Sequence, residues 1–112
     1  MTVYASNLVI YTGTDFEQTF VFESAQSNSS LKLDGYAGCA ALKRFETSNM
    51  AASFDVSVTN AELGKVRISM GSTVTEMLKP GKYFYDLLLD SGSEIIKVVE
   101  GQALVKKSVT RV

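Results

Sequence analysis

Phe54-Asp55-Val56-Ser57-Val58-Thr59 is followed, after residues 60–64, by Lys65-Val66-Arg67-Ile68-Ser69-Met70. Apolar and polar residues alternate on both sides of that loop. Successive side chains of a strand point to opposite faces, so Phe54, Val56 and Val58 share one face, with Val66, Ile68 and Met70 available to cover the same core. A helix would scatter these residues around its circumference. The intervening connection, Asn60-Ala61-Glu62-Leu63-Gly64, is of ordinary hairpin length. This stretch therefore predicts two antiparallel strands, each apolar on one side.

The same period recurs in both directions. Upstream, residues 7–11 are a short β-rich run, and Gly13-Thr14-Asp15 reads as a turn. Phe16, Phe20 and Phe22 then fall on one face, with Gln18 interrupting the alternation. A Ser/Asn-rich loop over 24–30 follows, expected to be mobile, and Leu31, Leu33 and Tyr36 bring the chain back toward the core. Residues 39–45 read as a strand and 47–52 as a polar, small-residue connection. Downstream, Thr73-Val74-Thr75-Glu76 fits a capping box, and Pro80-Gly81 ends the helix within two turns. Residues 82–89 place Tyr83, Tyr85, Leu87 and Leu89 on one face. Asp90-Ser91-Gly92-Ser93 reads as a hairpin turn, and 95–104 returns with apolar residues on both faces, the mark of a central strand. A short extension over 105–111 ends the chain.

Seven to nine strands, one short helical turn over about 73–79 and no βαβ alternation predict an all-β fold, an antiparallel β-sandwich of the immunoglobulin-like kind. It is expected to be a single domain over residues 1–112. Its inward faces are expected to include Phe20, Phe22, Val56, Val58, Val66, Ile68, Tyr85, Leu87 and Val98. Leu78-Lys79-Pro80-Gly81-Lys82-Tyr83 is similar to the fibronectin type III form of the tyrosine corner, in which a phenol at a strand start bonds back to the crossover backbone. The spacing leaves Tyr83 and Tyr85 as rivals for that role.

Composition narrows function by exclusion. Apolar residues are 46% and charged residues 21% of 112, which suits a packed core and argues against disorder. A formal net charge of -1 offers no basic face for nucleic acid and no polybasic anchor for a membrane. No apolar run approaches the ~20 residues a bilayer-crossing helix needs. Residues 1–6 lack a secretory pattern, so synthesis in the cytoplasm is expected. The lone Cys39, set between Gly38 and Ala40, is expected to be a core thiol rather than a nucleophile.

With no histidine in the chain, the commonest general base and most zinc or copper sites are gone. Two carboxylate pairs remain to be weighed: Asp15 with Glu17, and Asp86 with Asp90. Acidic residues at outward strand positions are ordinarily just solvated. Asp90-Ser91-Gly92-Ser93-Glu94 imitates a calcium loop but supplies only two carboxylates within a tight hairpin. The glycines form no phosphate-binding motif and read as turn and bulge residues. Tyr4, Tyr11 and Tyr36 are expected to pack at the core or its rim. No catalytic, cofactor-binding or metal-binding residue is therefore assigned, no cofactor is expected, and the chain is expected not to be an enzyme.

Read end to end, the sequence resembles small β-sandwich proteins of tailed phages, particularly marine and cyanobacterial myoviruses. The resemblance rests on ordered blocks: Asn7-Leu8-Val9-Ile10 with Gly13-Thr14-Asp15-Phe16; Leu33-Asp34-Gly35-Tyr36; Gly64-Lys65-Val66-Arg67-Ile68-Ser69; Pro80-Gly81-Lys82-Tyr83-Phe84-Tyr85-Asp86-Leu87; Val99-Glu100-Gly101; and Val109-Thr110-Arg111. It implies a virion structural protein of the tail, baseplate or fibre-attachment region, similar to the β-sandwich domain of long-tail-fibre connectors. Its implied partners are other virion proteins, and it would be a homo-oligomer or present in several copies. The alternatives are a head-decoration protein or a free-standing binding module for a glycan or receptor.

Overall fold

A computed structural model describes residues 4–22, 35–44 and 50–110. The Ser/Asn-rich loop, Leu31, Leu33 and residues 45–49 lie outside the described residues. Eight strands and one short helix make up the described part: β1 (Tyr4–Ala5), β2 (Leu8–Tyr11), β3 (Phe16–Val21), β4 (Ala37–Lys43), β5 (Met50–Asn60), β6 (Lys65–Met70), α1 (Ser72–Glu76), β7 (Gly81–Asp90) and β8 (Ile95–Lys106). The all-β class expected from the sequence is what forms.

The strands belong to one continuous hydrogen-bonded sheet in the order β1-β8-β7-β4-β5-β6-β3, with β2 following β1 along the same side of β8. The continuity comes from β5. Its first half pairs with β4, as far as Phe54 opposite Ala40, and its second half pairs with β6, from Asp55 opposite Ser69. One strand thus serves both arms, in place of the two separately bonded sheets that a sandwich implies. The sheet curls so that its arms face each other. The rings of Phe16 on β3 and Phe54 on β5 lie 5.9 Å apart, and those of Tyr4 on β1 and Phe22 just past β3 lie 5.6 Å apart. At Gly38 the arms come so close that an added Cβ would fall 2.1 Å from Val56 Cγ1.

The core fills the inside of this curl. Val66, Ile68 and Met70 from β6 meet Leu8, Ile10, Leu42, Tyr85, Leu87, Leu89 and Val105 from the other arm. Full burial of an aliphatic side chain of this size contributes roughly 1.5–3 kcal/mol. Of the residues expected inside, Phe22, Val66, Ile68, Tyr85, Leu87 and Val98 are buried, while Phe20, Val56 and Val58 pack half-buried against the cluster.

Three local expectations are corrected. β5 begins at Met50, so residues 50–52 are strand and not connection. β1 and β2 run parallel to β8, with Leu8 opposite Ala103 and Tyr11 opposite Lys106. These strands stand at the two ends of the chain, so no hairpin forces them to be antiparallel. The capping box does not form. The N-cap is Gly71 with no side-chain cap, and the Ser72 N–H donates instead to the Asp15 carboxylate at 2.8 Å. Thr75, fully buried, is the residue that matters here: its hydroxyl accepts from Gly13 N–H (3.1 Å) and donates to the Thr14 carbonyl (2.8 Å). The helix is thereby tied to the turn between β2 and β3.

Both rival tyrosines donate buried phenols. Tyr83 closes the corner, donating to the Lys79 carbonyl at 2.7 Å, and Arg44 lies over its ring, 5.2 Å from the centroid. Tyr85 donates to the Ser6 carbonyl, across 79 residues of sequence, and burial pushes its hydroxyl pKa above the ordinary phenol value. Changing either to Phe is expected to cost about 0.5–1.5 kcal/mol, more where the carbonyl is left without a donor. Urea titration of both variants measures this. Unchanged midpoints would mean that the phenols do not contribute to stability.

Candidate functional site

The positions considered for chemistry do not converge. Asp15 is occupied by the Ser72 N–H, whereas Glu17 faces Arg67 at 4.0 Å on the outside of β3. Asp86 pairs with Lys97 at 3.4 Å, while Asp90 accepts the Gly92 N–H at 2.8 Å to close the β7–β8 turn. In that turn Gly92 has φ +91°, a conformation that favours glycine. The Ser91 hydroxyl accepts from the Glu94 N–H (3.2 Å), and Glu94 accepts the Tyr36 hydroxyl (2.7 Å). The oxygens that would bind calcium are thus engaged in holding the hairpin. Among the described residues no group of three or more potential metal ligands comes together.

Cys39 corrects its expectation: it is exposed. Ala40 and Leu42 take the inward positions of β4, and period two then turns residue 39 outward, opposite Leu88. The tyrosines divide. Tyr4 packs on Phe22 at the rim, whereas Tyr11 is 50% exposed on the outer side of β2.

What the structure does assemble is an outer face, the convex side of β2, β8, β7 and β4. Cross-strand register sets its rows. Val9 lies beside Leu104 and Lys82; Gln102 lies beside Phe84 and Lys43; Glu100 lies beside Asp86 and Ala41; Lys97 lies beside Leu88 and Cys39. A shallow groove runs over the middle of this face, floored by Ala41, Phe84 and Leu88 and flanked by Lys43, Lys97 and Gln102.

Lys97 is held between Asp86 and Glu100, at 3.4 and 3.5 Å. Partial burial works against its charge, but the two carboxylates outweigh it, so its pKa sits above that of an ordinary lysine. All three groups are substantially solvated, so the network adds little stability. A lysine poised for Schiff-base chemistry needs the opposite shift. The groove offers apolar contact flanked by fixed charge.

The sequence missed this face because β8 reads as apolar on both sides. The structure gives a different reason. Leu87 pairs with Val99 and Leu88 with Lys97, so Val98 is the extra residue of a β-bulge. The bulge resets the parity, and both Val98 and Val99 turn inward. Ile95 and Leu104 remain outside, 67% and 40% exposed. β8 is nevertheless flanked on both sides, as expected of a central strand.

No helix among the described residues is long and apolar enough to cross a membrane. No family model matches the chain, and no curated protein matches it. Among solved structures it is similar to part of a family 123 glycoside hydrolase from Clostridium perfringens, with TM-score 0.42 and 10% identity over 97% of this chain and 24% of that one. It is also similar to part of a nucleoside hydrolase-related hypothetical protein from Saccharophagus degradans, with TM-score 0.31 and 15% identity over 95% of this chain and 22% of that one. The chain thus spans less than a quarter of the length of either protein.

Proposed function

We propose that this chain is a non-enzymatic structural subunit of a tailed-phage particle, in its tail, baseplate or fibre-attachment region, working through protein–protein contacts in a repeated assembly. The observation that carries the contact reading is an apolar cluster at one end of the outer face. Val9, Tyr11 and Leu104 are each at least 40% exposed on the adjoining strands β2 and β8. Scattered exposed apolar residues are ordinary, but a set gathered on one sheet face marks a surface that is covered in use. The phage setting is supported by the ordered sequence blocks. Several of these fall on residues that shape the fold: Tyr83 and Tyr85 at the corners, and Gly101 beneath Ser6.

The test is mass spectrometry of particles purified from the phage whose genome carries the gene, quantified against the major capsid protein. The expected result is a fixed stoichiometry of several copies per particle. Absence from the particle would defeat the structural reading and leave the free-standing binding module in its place.

A further inference from the structure

We infer that β3 pairs edge to edge with the β3 of a second copy of this chain, antiparallel across a two-fold axis at Gln18. The inference rests on the assembly reading above and names one contact within it. β3 ends the order of strands and pairs with β6 alone. The Phe22 N–H donates to the Gly64 carbonyl at 2.9 Å, in step with the β3–β6 register, so the even-numbered residues turn their backbone groups toward β6. Glu17, Thr19 and Val21 turn theirs to the open edge. Among the described residues, the one hydrogen bond at that edge is a 3.5 Å contact from Gln18's own amide to the Thr19 carbonyl.

Open edges are ordinarily guarded by proline, lysine, a bulge or a bend, because an unpaired ladder recruits another strand. The opposite edge of this sheet is guarded. β1 and β2 are interrupted at Ser6-Asn7, and the Tyr11 carbonyl accepts both the Thr14 N–H (3.3 Å) and the Thr14 hydroxyl (2.8 Å). β3 has no such guard. Its six residues pair with β6 in unbroken register, and its one charge, Glu17, faces Arg67.

The side chains of β3 match themselves when the strand is reversed, as a two-fold contact requires. Phe16 and Phe20, both half-buried, flank the exposed Gln18 on the inner side. With the axis at Gln18, Phe16 lies opposite Phe20 of the second copy and Gln18 lies opposite Gln18. Glu17 and Thr19 exchange backbone hydrogen bonds with Thr19 and Glu17 of the second copy. Ring meets ring and amide meets amide, which accounts for a glutamine that interrupts a phenylalanine face. Glu17 enters the row of the second copy's Thr19 and Arg67, so it gains a cation two strands away. Shifting the pairing one way sets Glu17 against Glu17. Shifting it the other way sets the Gln18 amide against the ring of Phe20 or Phe22. The contact is short, ~20 Å of strand edge. It belongs with the weak interfaces, those below ~1,200 Å² in total. Repetition within an assembly is what makes such a contact hold.

Disulfide trapping reads a weak contact directly. Across a non-hydrogen-bonded antiparallel pair the Cα atoms stand ~4.5 Å apart, within disulfide reach, and position 18 meets itself in this way. Position 19 of one copy would lie ~8 Å from position 19 of the other, beyond that reach. The purified full chain carrying Cys39→Ser and Gln18→Cys is expected to form disulfide dimers under mild oxidation at least tenfold faster than Cys39→Ser with Thr19→Cys. It is also expected to outpace the parent, whose exposed Cys39 gives the rate of random collision. Adding Thr19→Pro removes an edge N–H that β6 does not use, and is expected to return linkage to that background. Thermal melts confirm that the variants fold. If the proline variant does not fold, amide exchange decides: protection of Glu17 and Thr19 is expected to rise with protein concentration, and Gln18→Lys, which sets ammonium against ammonium, is expected to remove the rise. Linkage at position 18 no faster than background, faster linkage at position 19, a rate unmoved by Thr19→Pro, or exchange indifferent to concentration overturns the inference. The particle measurement stays separate. A protein found in particles without this linkage keeps the structural role and loses the contact, and a linked protein missing from particles keeps the contact without the role.

Discussion

Replacing Ile68 by alanine is expected to lower stability by about 2–5 kcal/mol, as deletion of a large buried aliphatic group does. Ile68 has no exposed surface and sits at the middle of β6, opposite Val56 on one side and Gln18 on the other. Its neighbours cannot collapse into the space it leaves. β6 is hydrogen-bonded on both edges, by β3 and β5, and the other arm's core side chains are fixed by their own strands. The cost therefore includes a cavity in addition to lost burial. Equilibrium urea unfolding of the variant measures it, with the slope compared to the parent to confirm that the same surface is exposed. A loss below about 0.5 kcal/mol would mean that Ile68 is not part of the packed core.

Gly101→Ala is expected to be nearly as damaging, for the opposite reason. An added Cβ at position 101 would lie 2.1 Å from the Ser6 carbonyl oxygen and 2.8 Å from its carbonyl carbon. Both are backbone atoms and cannot swing aside as a flexible side chain would. The Ser6–Asn7 kink between β1 and β2 is pinned to β8 from both sides: the Ser6 N–H donates to the Glu100 carbonyl at 3.0 Å, and the Asn7 side chain accepts the Gln102 N–H at 3.1 Å. The Ser6 carbonyl also receives the Tyr85 phenol. One methyl group must therefore displace a backbone segment that three hydrogen bonds hold. Overpacking of this sort costs about 1–3 kcal/mol, and here loss of the Tyr85 bond would add to it. Adding Tyr85→Phe to Gly101→Ala should then cost less than the sum of the two single changes, because both act on the same carbonyl. Additive costs would show that Gly101 and Tyr85 act independently.

The amino-acid sequence by itself determined the class of fold and most of its inside. Strict alternation over 54–59 and 65–70 leaves only one face able to bury apolar surface, so Val66 and Ile68 are legible as core before any contact is known. The Pro80-Gly81 stop and the tyrosines after it announce a corner, since a buried phenol must find an acceptor. Tertiary structure decided what depends on partners distant in the chain. Which phenol closes the corner is settled by reach, Tyr83 to Lys79 and Tyr85 to Ser6, and the second partner is 79 residues away. The helix start goes to Asp15, a residue from another turn, because that carboxylate stands at the Ser72 N–H while Thr75 is drawn inward to the β2–β3 turn. Cys39 turns outward because Ala40 and Leu42 hold the inward register of β4. The parity of β8 cannot be read from its residues, since Val98 and Val99 are both apolar and only pairing with β7 reveals the bulge. That one inserted residue sets which side chains of β8 face out, and with them the charge order of the outer face. Periodicity reports burial along a strand; only the hydrogen-bonded register between strands reports where the alternation shifts.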